Sequence, residues 1–150
     1  MDLPPKVVVP ICIEQGSIYH YRVELTNRDR STYRGQRFFI VLNVNPKTDE
    51  VIVLTTVTTK IEEAERYVQR VKESPETLVR ISRADFPRLS AESVVNCNST
   101  YPSSMPEIIK RIEDGGIIFF EKLPRSVIEA LVGGVLKSTQ VPNEQKKLLI

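Results

Sequence analysis

Arg37 and the threonines Thr55, Thr56, Thr58 and Thr59 stand at the two ends of one stretch, RFFIVLNVNPKTDEVIVLTTVTTK (37–60). Brought together, they could do chemistry. A guanidinium keeps its charge and presents planar donors, a threonine hydroxyl adds a short-range donor, and a phosphate matches both. A second group lies just upstream in TNRDRSTYRGQ (26–36), where Arg28, Arg30, Tyr33 and Arg34 interleave charge with an aromatic ring. That mixture suits a phosphate backbone with stacked bases. The same stretch reads equally as a solvated loop partly neutralised by Asp29. His20 is the one histidine and titrates near neutral pH. It alternates with Ile18, Arg22 and Glu24 on a mixed face, the usual setting of an ordinary surface residue. Ser93 and Ser99 carry no nucleophile signature, which argues against a serine hydrolase.

The strands around these residues must position them. Residues 37–44 and 51–59 are apolar runs joined through NPKTDE, a segment rich in turn formers. An even-numbered turn over 45–50 sets Val44 opposite Val51. Phe38, Ile40, Leu42, Val44, Val51, Val53, Thr55 and Val57 then share one face, which is expected to be core. Arg37, Phe39, Val41, Asn43, Ile52, Leu54, Thr56 and Thr58 share the other, apolar near the turn and polar at the open end. In this register Arg37 faces Thr58. A slip of one residue would put Thr59 there and divide the apolar set less cleanly. The pair has two readings: an anion site, or an arginine that caps a strand end beside threonines serving β propensity.

The rest of the chain supplies further elements. KVVVPICIE (6–14) is β-rich but split by Pro10, as an edge strand or extended arm would be. SIYHYRVEL (17–25) reads as a strand, and 26–36 as a long loop. IEEAERYVQRVKES (61–74) spaces Ile61, Ala64, Val68 and Val71 as an amphipathic helix does, with charges forming a solvated face. TLVRIS (77–82) and ESVVNCNSTY (92–101) read as strands. PEIIKRIED (106–114) is a helix opened by proline, IIFFEKL (117–123) a short strand, and PRSVIEALVGGVLKS (124–138) a helix weakened by Gly133 and Gly134. The tail 139–150 is expected to be loosely held. The order is mostly strands, which favours a mainly β, β-rich α+β protein: a small, partly open antiparallel barrel with peripheral helices.

Composition bounds the alternatives. The 150 residues suit one domain, and 21 basic against 19 acidic residues give no global attraction to nucleic acid. Cys12 and Cys97 lack metal-ligand spacing and read as reduced, buried thiols. No run approaches the ~20 apolar residues that span a bilayer. Two prolines and a glutamate interrupt any signal-peptide layout at the start, so a soluble, cytoplasmic protein is expected.

Several motifs resemble, in order and spacing, the MazF/PemK family of toxin endoribonucleases, whose SH3-like barrel is shared with the CcdB gyrase poisons. They are GSIY (16–19), RGQRFFIVLN (34–43), VIVLTTVTTK (51–60), ESVVNCNST (92–100) and GGIIFFEKLPRSVIEALVGGVLKS (115–138). The resemblance implies one SH3-like barrel domain, with its core over about 16–138, an N-terminal arm 1–15 and a C-terminal tail 139–150. It implies the toxin of a type II toxin–antitoxin system, cleaving single-stranded RNA without a metal or other cofactor through attack of the 2′-hydroxyl. Arg37 and Thr58 would be catalytic: Arg37 holds the phosphorane charge and Thr58 orients a phosphate oxygen. Arg28, Arg30, Tyr33, Arg34, Thr59 and Lys60 would contact RNA. A cognate antitoxin and a homodimer are implied as partners. The alternatives are a non-catalytic SH3-like module that binds nucleic acid or protein, and a gyrase-directed toxin.

Overall fold

The computed structural model describes residues 3–26 and 32–150, with Leu25, Thr26 and Tyr33 described in their backbone alone. Two long strands, β1 (Ile18–Thr26) and β2 (Thr32–Val41), form an antiparallel hairpin in which Ile18 faces Ile40 and Thr26 faces Thr32. The stretch read as a long loop is therefore largely strand. β2 turns back into β3 (Ile52–Thr58), with Phe39 opposite Thr56, Ile40 opposite Thr55 and Val41 opposite Leu54. This is the register expected from the even turn. Two further strands pair with successive halves of β3: β5 (Ser93–Asn96) with its end and β6 (Tyr101–Ser103) with its start. β4 (Leu78–Ile81) extends the sheet beyond β5, and β7 (Ile117–Phe119) extends it beyond β1.

The strand order is β4-β5-β3-β2-β1-β7, with β6 also on β3, and among the described residues β4 and β7 do not pair with each other. The sheet is open. The expectation of a mainly β, SH3-like barrel is thus corrected to a mixed α/β domain, and the MazF/PemK resemblance loses the fold on which it depended. The physical reason lies in the β2–β3 hairpin. A small barrel has one interior, filled by every second residue of each strand. This hairpin is apolar on both faces, so each needs its own cover.

One face, with Ile18, Phe38, Ile40, Leu42 and Val53, packs in a core that includes Val127, Ile128, Leu131 and Val135 of helix α4 (Arg125–Lys137). Phe86 and Leu89, from the segment before β5, complete that side. The other face, with Tyr19, Tyr21, Phe39, Val41, Ile52 and Leu54, packs with Ile108 and Ile112 of α3 (Met105–Glu113) and with Val9 and Ile13. Val9 belongs to helix α1 (Pro5–Cys12), where an edge strand or extended arm was expected. Pro5 occupies the helix start, where its missing N–H costs nothing, and burial of Val9 against the sheet outweighs β propensity. Helix α2 (Ile61–Val71) buries Ala64 and Val68 and lies over β4 and β5, tied to β4 by the 2.9 Å ion pair of Glu65 with Arg80.

The tail is held, not loose. Leu149 and Val141 belong to the core that α4 covers, and the Val44 N–H donates to the Leu148 carbonyl at 3.0 Å. Gly134 lets α4 approach closely: a Cβ there would stand 2.8 Å from Cys97 Sγ and 3.0 Å from the Glu76 carbonyl oxygen. Both cysteines are free thiols. Cys97 is buried as expected, but Cys12 is exposed on α1. No helix among the described residues is long and apolar enough to cross a membrane.

Candidate anion-binding cleft

The β2–β3 ladder runs from Val41–Leu54 to Phe39–Thr56. Past that point the strands keep different company. β2 stays with β1, setting Arg37 opposite Tyr21 and Phe38 opposite His20, while β3 joins β5, setting Val57 opposite Val95 and Thr58 opposite Val94. A cleft of about 330 Å³ opens at this fork. Arg37 and Gln36 line it from β2, Thr58, Thr59 and Lys60 from the end of β3, and Ser90 and Ser93 from the entry to β5.

Local bonding shapes what these groups present. Thr58 Oγ1 accepts the Lys60 backbone N–H at 3.2 Å, so its own hydroxyl hydrogen remains available to donate. The Thr59 carbonyl accepts from Ile61 as α2 begins, which turns the chain sharply and leaves Thr59 and Lys60 exposed. Ser93 Oγ is committed, donating to the Ala91 carbonyl at 2.9 Å. Arg37 is half-buried. Among the described residues two cations line the cleft and no carboxylate does.

His20 forms part of the wall. Its ring lies 4.5 Å from Phe38 and 6.4 Å from Phe119 between centroids. Burial holds its pKa below the ordinary histidine value, so the imidazole is neutral at pH 7. Chemically, the set can hold an oxyanion between a guanidinium, an ammonium and a hydroxyl donor, beside a neutral base able to accept a proton.

Of the residues singled out in the sequence, the structure brings Arg37, Thr58, Thr59 and Lys60 into one cleft. Arg34 lies elsewhere, paired with Glu24 at 3.3 Å and lining a separate cleft of about 520 Å³ with Arg22, Arg111 and Asp114. Arg28 and Arg30 fall outside the described residues, as does the side chain of Tyr33. Sequence reasoning set His20 and Ser93 aside and did not include Phe38 or Ser90. The missing signal for His20 was the first hairpin: pairing the strand around 17–25 with that around 33–41 places His20 opposite Phe38. Ser90 and Ser93 depend on the β3–β5 pairing, which no local pattern announces.

No protein-family model matches the chain, and no curated protein does either. The MazF/PemK assignment and its toxin endoribonuclease identity therefore find no support in either comparison. The antitoxin and homodimer implied by that assignment lose their basis with it.

Proposed function

We propose that the cleft at the β2–β3 fork binds a backbone phosphate of single-stranded RNA, and that the protein is an RNA-binding module. One observation carries this reading: Arg37, Lys60 and Thr58 line one cleft, to which the described residues contribute no carboxylate. Such a site favours a multiply hydrogen-bonding anion, and an arginine fork matches phosphate oxygens in plane. The overall charge is close to neutral, so attraction comes from this local cluster and not from the whole surface. A cytoplasmic location belongs to the same proposal, and two free thiols suit a reducing compartment.

The test is fluorescence anisotropy with a mixed-sequence single-stranded RNA in EDTA, over a series of salt concentrations, beside Arg37→Ala. Wild type binds with an affinity that falls as salt rises, and the variant loses about thirtyfold with a shallower salt slope. Equal binding by the two proteins, or none by the wild type, sinks the proposal. Analysis of the RNA ends in the same samples separates binding from chemistry. Intact RNA is the module's result. Cyclic-phosphate ends made by wild type alone would mean that the 2′-oxygen has attacked the phosphorus and displaced the 5′-oxygen, which leaves as a hydroxyl. Arg37 would then hold the developing charge, and His20, in the cleft wall, would be the candidate to take the 2′-hydroxyl proton and return it to the leaving oxygen.

A further inference from the structure

Beside the phosphate cleft lies a second one, of about 740 Å³, and the two share His20 and Phe38 as a common wall. Its character is different. Phe119, Phe120 and Ile117 line it from the β7 edge, and Arg88 and Glu121 complete it. Phe120 is 67% exposed, although a phenylalanine beside a core gains by turning inward. Phe119 is held rigidly, its ring centroid 5.5 Å from Phe38 and 5.8 Å from Phe86. The Arg88 guanidinium carbon stands 5.5 Å over the Phe119 ring, fixed by two hydrogen bonds of 3.2 and 2.9 Å to Glu121 Oε1.

Charge divides the two clefts as it divides a nucleotide. Among the described residues the first is lined by two cations and no carboxylate, whereas in the second Arg88 and Glu121 cancel each other. We infer that the exposed Phe120 ring, beside the Arg88 guanidinium that covers Phe119, is a stacking platform for an unpaired base adjoining the bound phosphate, so that the RNA strand runs from the β3 end across Phe38 to the β7 edge. The inference rests on the phosphate reading and adds a requirement to it: the strand must be single, because a base stacked between neighbours inside a duplex offers no open face. Aromatic rings beside a guanidinium stack on bases of any sequence, so the platform confers strand selectivity without sequence selectivity.

Three RNAs of equal length separate the terms: a single strand carrying 2-aminopurine, the same strand with abasic sites throughout, and a duplex. Wild type binds the base-bearing strand roughly 5- to 100-fold more tightly than the abasic one, with quenching of the 2-aminopurine. Phe120→Ala lowers the base-bearing strand toward the abasic level and leaves the abasic affinity unchanged. Phe120→Tyr, which keeps the ring, restores the preference. Arg37→Ala weakens both single strands alike.

The platform is overturned if Phe120→Ala keeps the preference for bases, if the duplex binds as well as the single strand, or if wild type shows no preference while binding still depends on Arg37. In each of these cases the phosphate cleft survives. Weakening by Phe120→Ala with none by Arg37→Ala would keep the platform and remove the cleft. Failure of both single strands to bind removes both. A wild-type dimer that Phe120→Ala dissolves in sedimentation would place a second copy on this surface and overturn the platform.

Discussion

The β2–β3 hairpin has two ends that use polar side chains in opposite ways. At the turn, Asn43 is fully buried and spent on structure: its amide donates to Asp49 at 2.9 Å and to the Val51 carbonyl at 2.8 Å, and its oxygen accepts the Val53 N–H at 2.7 Å. It closes the hairpin in place of a backbone ladder. At the fork, Thr58 and Lys60 line an open cleft with Arg37. The same two strands thus consume hydrogen-bonding capacity at one end and present it at the other. A buried polar group is retained where it completes the fold, and a partly exposed one where something else completes it.

This contrast can be broken from either end. Asn43→Ala is expected to do most damage, since it leaves the Val53 N–H and Val51 carbonyl without their partner. Urea unfolding should show a loss of about 3 kcal/mol, while RNA affinity of the folded fraction stays as in wild type. Arg37→Ala should do the reverse, costing about 2 kcal/mol of RNA binding, near thirtyfold, with stability moving by less than about 1 kcal/mol. Loss of both properties in either variant would erase the distinction between the ends.

Thr55 sharpens it. The residue is fully buried opposite Ile40, and its hydroxyl has no hydrogen-bond partner among the described residues. It neither closes the hairpin nor reaches the cleft. Thr55→Val replaces that hydroxyl with a methyl of similar shape and should stabilise the protein by about 1 kcal/mol in the same unfolding assay. A destabilised variant would mean that the hydroxyl has an unrecognised use.

The smallest effect concerns protons. Burial depresses the His20 pKa in the folded protein. The unfolded chain therefore takes up a proton first, and stability declines as pH falls through the unfolded histidine value, near 6.5. Unfolding curves at pH 7.5 and 5.5 should show this decline, and His20→Gln should remove only that part of it. A rise in wild-type stability on acidification, absent from the variant, would contradict the buried, neutral imidazole.

How much of this was legible depended on how local the determining pattern was. The β2–β3 register is written in a two-residue alternation about an even turn, so Arg37 and Thr58 could be brought together from the sequence, and Lys60 follows two residues on. Helices α2, α3 and α4 were legible from apolar spacing and from proline or glycine boundaries. Closure was not read correctly, although the sign was present: Phe39, Val41, Ile52 and Leu54 put an apolar patch on the second face as well. Two apolar faces call for two covering layers, not for one enclosed interior. VVVPIC was misread because β-branched residues favour strands when considered alone, and burial of Val9 decided otherwise. The serines of the cleft and the second partner of β3 lay beyond any local pattern, since residues 57 and 58 pair with 95 and 94.

The two cysteines have a practical consequence. Cys97 is sealed under Gly134, and burial pushes its thiol up to about 12, out of reach of alkylating reagents at neutral pH. Cys12 is exposed and lines a cleft of about 310 Å³ with Phe119 and Phe120. A maleimide dye attached to the native protein would therefore settle at one position, in a cleft that Phe120 also lines. The molecule carries its own attachment point for a spectroscopic reporter, and quenching of that dye by RNA can be followed without altering a single residue.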